Sequence, residues 1–369
     1  MKAKKSLAII GVGIIGSSRY SDGIPAFVQA LQRLTQHYSI TVYSFIPVDK
    51  SRAPLGVRVR FIPWKIHLRL QYVLLGILFS WDHLRVSYNV IHAQSPFPAG
   101  VLSSWLGRLY GIPWLLSYHA GEAAAIPEIP FGDLLRRSLK RISVNVSKQA
   151  NMVMAMSEFQ AVDIRKNLQI NTVHILPRGI VVPPFEKREL SSPIRFIHIS
   201  SYHPVKDHDT LLKTYALIAK KINSSLLIVG DNYGEEFQDR LNTLQLSDRV
   251  KFTGTTPHSQ LAEKYHGAHI LLHTSHYEGL PMVALEAMAH GVLVCGTRVG
   301  IMADLSGKCC VTVLPGDFEG LAAETLRLVE QPEEFYKIQR KAYQWVKDHD
   351  MDWYIRELKK HYDTISHQA

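Results

Sequence analysis

The 369 residues exceed what one hydrophobic core usually holds, so two domains are expected. Hydrophobic residues at 46% and charged residues at 20% describe a folded protein and exclude a disordered chain. Cys295, Cys309 and Cys310 offer neither a disulfide framework nor a metal-ligand spacing, which points to a reducing cytoplasm, while the formal charge of +10 favours anionic partners. Nucleic acid is not the expected one, because the chain has no aromatic RNA-binding strand and no zinc-finger spacing.

Met1 to Lys5 carries lysines and Leu7 to Ile15 is apolar, as in a secretory signal. The run is glycine-interrupted and followed by SSRYSDG instead of an Ala-x-Ala site. It therefore reads as a first strand, Leu7 to Ile10, with a loop from Gly11 to Gly23. Ile24, Phe27, Val28, Leu31 and Leu34 then fall at helical spacing within Ile24 to His37, and Ile40 to Phe45 is the next strand. This strand-loop-helix-strand opening predicts a doubly wound α/β sheet. GVGIIG has the spacing of a dinucleotide fingerprint, but it is too apolar for a clean phosphate loop. The acid expected at the end of the second strand is absent from Thr41 to Phe45, which argues against an oxidoreductase.

The most apolar segment is YVLLGILFSW, Tyr72 to Trp81, near the basic residues Lys65, Arg69 and Arg85. It is shorter than the roughly 20 residues that cross a bilayer. A buried helix is the plain expectation, and a membrane-docking surface is the alternative. Val90 to Ala93 and Trp114 to Tyr118 read as further strands, the second ending in His119-Ala120-Gly121-Glu122. A histidine just past a strand end sits where open α/β sheets bind ligands. Asn151 to Ser157 and Val173 to Leu176 complete the first half, followed by Pro177-Arg178-Gly179. Pro183-Pro184 and the polar run to Pro193 read as an interdomain linker.

A second alternation follows, with strands at Arg195 to Ser200, Ser225 to Val229, Val250 to Phe252, Ile270 to His273 and Leu293 to Cys295, and a helix at Asp209 to Ile222. Asp207-His208-Asp209 has the D-x-D form of a metal-binding pair, but Asp209 stands where it would cap that helix. No metal is required on this reading. Between Ser275 and Gly300, Glu278 and Glu286 bracket seven residues that run from a Gly-Leu-Pro turn, Gly279 to Pro281, into a helix. Pro281 suits the first helical position and Gly291 the stop, giving roughly ten residues or about 15 Å. Val283, Ala284, Ala287 and Met288 form its small apolar face. Its N-terminus suits a phosphate, and the two carboxylates suit sugar hydroxyls. Pro332 to His367 reads as helices rich in Trp, Tyr and Lys.

The string SHYEGLPMVALEAMAHGVLVCGT resembles the donor-site signature EGxPxxxxEAMAxGxPV of the retaining GT-B glycosyltransferases of family 4. The likeness is strong over Arg195 to Glu324 and faint over the first half, where Ser21-Asp22-Gly23 is similar to the family's N-terminal glycine loop with only Gly23 kept. Membership implies two Rossmann-like doubly wound domains facing a cleft: an acceptor-binding domain over residues 1–185 and a donor-binding domain over 186–349. A C-terminal helix from about 350 to 369 would cross back to the first.

The resemblance also implies metal-independent transfer, with retention, from a nucleotide-diphosphate sugar to a glycan, lipid-linked or small-molecule acceptor. Lys206 would hold the diphosphate with backbone groups near Gly279 and Leu280. Glu286 would take the ribose hydroxyls, Glu278 the sugar ring, and His119 would reach the sugar from the first domain. No cofactor is implied beyond the donor. Val229-Gly230-Asp231 is similar to the family's turn at the base side of the nucleotide. Three departures stand out: Ser201 replaces an Arg five residues before Lys206, with His203 as its nearest substitute; Arg178 replaces an Asn; and Gly300 to Asp304 replaces a Gly-Gly-x-Pro-Glu loop. The basic charge and the 72–81 segment add peripheral contact with an anionic membrane, at its cytoplasmic face. A non-catalytic nucleotide-sugar-binding protein and a nucleotide-sugar epimerase of the same shape are the alternatives.

Overall fold

The structure is a computed structural model that describes residues 4–16, 24–62, 67–231 and 233–367. The chain divides into two compact units, Met1–Gly179 with Met351–Ala369, and Ile180–Asp350.

The first unit is built on seven parallel strands: β1 (Lys5–Gly11), β2 (Tyr38–Ser44), β3 (Val57–Phe61), β4 (Val90–Ala93), β5 (Trp114–Ser117), β6 (Met152–Ala155) and β7 (His174–Ile175). Their order in the sheet is β3-β2-β1-β4-β5-β6-β7. Leu7 to Ile10 are wholly buried, as expected of a central parallel strand covered on both faces. β3, VRVRF, lies at the sheet edge, where its charged alternation suits an unpaired side.

The first helix, Pro25–Leu34, is shorter than the spacing predicted and buries Ala26, Phe27, Ala30, Leu31 and Leu34. Against it and against β4 and β5 packs the last helix, Met351–His367. That helix buries Met351, Tyr354, Ile355, Leu358, Tyr362 and Ile365 at three- and four-residue spacing. The Tyr362 hydroxyl reaches His92 Nδ1 at 2.7 Å, which ties it into the sheet.

The apolar 72–81 segment lies within the helix Leu68–Val86. The expectation that it is buried holds for one face only. Tyr72, Leu75 and Phe79 enter the core, while Val73, Ile77 and Trp81 on the other side are exposed. Asp82, on the inner side, is bound by Arg60 in a two-point contact of 2.7 and 2.9 Å and by the Tyr43 hydroxyl at 3.0 Å.

The second unit holds six parallel strands: β8 (Ile194–Ile199), β9 (Ser224–Val229), β10 (Val250–Phe252), β11 (Ile270–His273), β12 (Leu293–Thr297) and β13 (Val311–Val313). The order β10-β9-β8-β11-β12-β13 reverses direction between β8 and β11. The chain leaving β8 goes on to β9 on one side of this point and the chain leaving β11 to β12 on the other, and the carboxyl ends at such a switch are the place where doubly wound sheets bind ligands.

The polar run from Pro183 to Pro193 is fastened to this unit. Tyr343 donates its hydroxyl proton to the Pro183 carbonyl at 2.9 Å, Arg188 donates to the His290 carbonyl at 3.2 Å, and the Leu190 amide donates to Tyr336 at 3.1 Å.

Candidate active site in the second unit

The loop after β8 and the loop after β11 meet over a cavity of about 460 Å³. Ser201, His203, Lys206, Asp231, Glu278 and Leu280 are among its lining residues, together with His273 and Pro281 to Val283.

Lys206 is positioned by a short turn, Pro204–Lys206, and by its own carbonyl, which accepts a hydrogen bond from Thr274 at 3.0 Å. Asp207 follows in the left-handed region at φ 48° and caps the helix His208–Ala219 by accepting the Thr210 amide. The cap is thus Asp207, not Asp209, because the turn at Lys206 starts the helix two residues early. Asp209 lies in the first helical turn, exposed, and pairs with Lys213 at 2.7 Å. No group of three or more potential metal ligands occurs among the described residues.

Beneath this loop lies a floor of neutral histidines. Ser200 Oγ bridges His198 at 2.8 Å and His208 at 3.1 Å, and His208 also meets the Tyr233 hydroxyl at 2.9 Å. Burial, reinforced by the charge of Lys206, holds His208 down at about 4. Gly230 is required here: its φ is 151°, and a Cβ would stand 1.8 Å from the Ser200 carbonyl.

Across the cavity, the Lys206 ammonium donates to Glu278 Oε1 at 2.5 Å. Ser275 donates to the same oxygen at 2.8 Å, and His273 Nε2 lies 3.5 Å from it. Burial works to raise the Glu278 carboxyl, but Lys206 and the His273 hydrogen bond outweigh it and hold the group at about 2. The site therefore carries an ionised carboxylate and an ammonium in direct contact, with balanced charge. His273 and Ser275 stand five and three residues before Glu278, close enough in sequence for that spacing to have marked them.

The Gly-Leu-Pro turn is locked from behind, since a Cβ on Gly300 would lie 2.8 Å from the Gly279 carbonyl. The helix that follows, Met282–Ala289, has eight residues, with Pro281 at the capping position instead of inside. Ala284, Leu285, Ala287 and Met288 are buried while Val283 is half-buried, so the apolar face is rotated slightly from the one predicted. Glu286 projects from this helix but is not among the cavity-lining residues. His258 Nε2 contacts its Oε1 at 2.8 Å and the Tyr265 hydroxyl donates to its Oε2 at 3.1 Å. Those two partners lie more than twenty residues away, and nothing local in the sequence announces them.

Ser201, where the family pattern has Arg, is exposed at the cavity edge. His203 Nδ1 accepts the Val205 amide at 3.2 Å, so the ring is turned into its own loop. Within the lining, Asp231 Oδ1 and His273 Nδ1 are buried and meet no partner among the described residues.

In the first unit, His119 follows β5. Its Nε2 lies 3.0 Å from Gln94 Oε1 and its Nδ1 lies 3.4 Å from Arg178 Nη2, so both ring nitrogens are engaged. Burial lowers its pKa well below the ordinary value, and Arg178 and His92 add to the effect. Arg178 is buried, lies over the Phe27 ring at 4.9 Å and hydrogen-bonds Tyr354. Arg178 Nε and Gln94 Nε2 are buried and unpartnered among the described residues. Gly23 lies outside the described residues.

Two family models match the chain: Glycosyltransferase Family 4 over residues 26–182 and Glycosyl transferases group 1 over residues 193–331. Among curated relatives, the N-acetyl-alpha-D-glucosaminyl L-malate synthase of Bacillus anthracis is 25% identical over 68% of this chain and 67% of its own length. The chain spans only about half of two others, at 51% and 49% of their length.

Among solved structures, a sucrose-phosphate synthase from Thermosynechococcus elongatus superposes with a TM-score of 0.79 at 18% identity, covering 99% of this chain and 100% of that one. HepE of Anabaena, in complex with UDP and glucose, gives 0.76 at 16% identity over 98% and 100%. With two doubly wound sheets and both halves matched, the chain belongs to the group 1 glycosyltransferases of family 4 and has their two-domain, Rossmann-like GT-B fold.

Proposed function

We propose that this chain transfers a sugar from a nucleotide-diphosphate sugar to a glycan, lipid-linked or small-molecule acceptor, with retention of configuration and without a metal. The observation that carries the reading is the Lys206–Glu278 pair in a cavity at the sheet's switch point. An incoming diphosphate competes with Glu278 for the ammonium. It draws Lys206 toward the phosphates and frees Glu278 Oε1 to accept hydroxyls of the sugar ring. As the bond from the sugar's anomeric carbon to the diphosphate oxygen breaks, negative charge grows on that oxygen. Lys206 and the helix N-terminus beyond Gly279 and Leu280 stabilise it. The acceptor oxygen bonds to the anomeric carbon from the same face, and its proton passes to the departing diphosphate oxygen. No protein nucleophile is needed.

Glu286, steadied by His258 and Tyr265, is assigned to the ribose hydroxyls, and Asp231 with its unpartnered oxygen to the nucleotide. His119 is assigned to the donor sugar, for which it exchanges one of its present hydrogen bonds. Metal independence is supported by the use of Asp207 as a cap and Asp209 in an ion pair. HepE was solved with UDP and glucose, which favours UDP-glucose as the first donor to try. A cytoplasmic site of action with peripheral attachment to an anionic membrane completes the proposal.

The second reading is a non-catalytic nucleotide-sugar-binding protein, favoured by Ser201 in place of a cation at the cavity edge. Release of nucleoside diphosphate from a donor panel decides between them. Turnover that Lys206→Ala and Glu278→Ala lower by about 10²-fold or more and Asp209→Ala leaves intact supports the transferase. Donor binding without release in wild type supports the binding protein, and wild-type turnover in the first two variants overturns the site.

A further inference from the structure

We propose that the exposed sides of the helices Leu68–Val86 and Val101–Tyr110 form a face that docks on an anionic lipid bilayer. The inference deepens the peripheral attachment named above and does not depend on the donor chemistry.

The first of these helices is apolar on both sides. Its inner stripe, Tyr72, Leu75 and Phe79, fills the core of the first unit. Its outer stripe, Val73, Ile77, Trp81 and Leu84, recurs every three or four residues and covers under a quarter of the helix circumference, roughly 80° at 100° per residue. Each of those four side chains is more than half exposed, Leu84 at 78%. The neighbouring helix adds Trp105 and Leu109 at 58% and 69% exposure, and the two rows line one groove of about 520 Å³. Six large apolar side chains at such exposure form a patch on the order of several hundred Å², the upper end of what monomers leave uncovered.

Charge selects the occupant. The helices Leu68–Val86, Val101–Tyr110 and Arg137–Gln149 pack in succession. The single carboxylate in all three is Asp82, which is buried and neutralised by Arg60. Arg69, Arg85 and Arg108 are exposed on the first two, and the third, RSLKRISVNVSKQ, adds cations without an acid. The Arg85 guanidinium lies 3.6 Å from the centre of the Trp81 ring, which joins the positive rim to the apolar stripe. Apolar anchors, two tryptophans and an acid-free cationic border match the interface of an anionic bilayer, where indole rings settle at headgroup level and Lys/Arg draw on the surface potential. A second copy of the chain fits less well, because a symmetric contact would set these cations against themselves. No helix among the described residues is long and apolar enough to span a membrane, so the face lies on the bilayer.

The experiment is flotation of the full chain with phosphatidylcholine vesicles, with and without phosphatidylglycerol. Binding is expected only with phosphatidylglycerol, accompanied by a blue shift of tryptophan fluorescence and reversed by salt. Trp81→Ser with Trp105→Ser, and separately Lys140→Glu with Arg141→Glu, should each weaken it at least tenfold. Nucleoside diphosphate release in vesicle-free buffer stays at the wild-type rate in all of them. Absence of binding to either vesicle, or variants that bind as wild type does, overturns the proposal. So does a dimer in light scattering that the double tryptophan variant dissociates, which would assign the face to a second copy. A wild-type chain that floats with phosphatidylglycerol but releases no nucleoside diphosphate from any donor would instead count against the transferase reading and leave the docking face standing.

Discussion

The two units place a cation at the carboxyl end of a parallel sheet, and they treat it in opposite ways. In the second, Lys206 meets Glu278 in the lining of a cavity, and each charge has its counterpart. In the first, Arg178 is buried against Phe27, Tyr354 and His119 and pairs with no carboxylate among the described residues. A compensated pair is a poised arrangement, since an arriving anion exchanges one partner for another at little cost. An uncompensated cation carries its desolvation penalty permanently and keeps its neighbour His119 neutral. The comparison therefore assigns charge exchange to one unit and fixed polarity to the other.

The largest effect expected from breaking the pair is kinetic. Lys206→Ala should lower the rate of nucleoside diphosphate release by about 10²–10³-fold, the usual range for removing one electrostatic stabiliser of a leaving group, measured at saturating donor. Next comes acid stability. Glu278 titrates at about 2 in the folded chain against 4.5 when unfolded, so its contribution is complete above pH 4.5 and disappears as the pH falls toward 2. Denaturant midpoints followed across that window should fall by the equivalent of roughly 2–3 kcal/mol, and Glu278→Gln should flatten the curve.

His208 acts over a higher window. Its pKa is about 4 when folded and 6.5 when free, so the unfolded chain binds the extra proton and stability declines as the pH drops from 6.5 to 4. His208→Gln should remove that slope, again read from denaturant midpoints. Arg178→Met sharpens the contrast: with no carboxylate left unpaired, the melting temperature should hold or rise, by the equivalent of about 0–1 kcal/mol. The His119 imidazole should then titrate at higher pH, visible by NMR. The smallest effect is at Asp209, where Asp209→Ala removes an exposed ion pair and should change neither turnover nor stability by more than about 0.5 kcal/mol.

The fold was legible wherever the determining residues are close in sequence. Fully apolar strands such as Leu7 to Ile10 and Ile270 to Leu272 announce a parallel sheet, and the Glu278-to-Gly300 run contains the turn, the helix and the next strand in one string. Other features depend on contacts across tens of residues. Glu286 is steadied by His258 and Tyr265, and His119 by Gln94 and Arg178, pairs that no local period links. The cap at Asp207 was hidden because it needs a left-handed residue other than glycine, a backbone choice that composition does not advertise. Outer and inner stripes of the 68–86 helix are equally apolar, so hydrophobicity alone could not say which side meets the core.

The segment from Pro183 to Pro193 has the composition of a protease-sensitive tether, yet Tyr336, Tyr343 and His290 pin it along the second unit. Its glutamate carbonyl, Glu186, also lies where a Cβ on Gly291 would come within 2.5 Å, leaving no space for a larger residue. A recombinant fragment meant to isolate the second unit should therefore begin at residue 180 and not at the first strand, near 194. Trimmed at the later point, it would expose the aromatic rings that the segment covers and would be prone to aggregate.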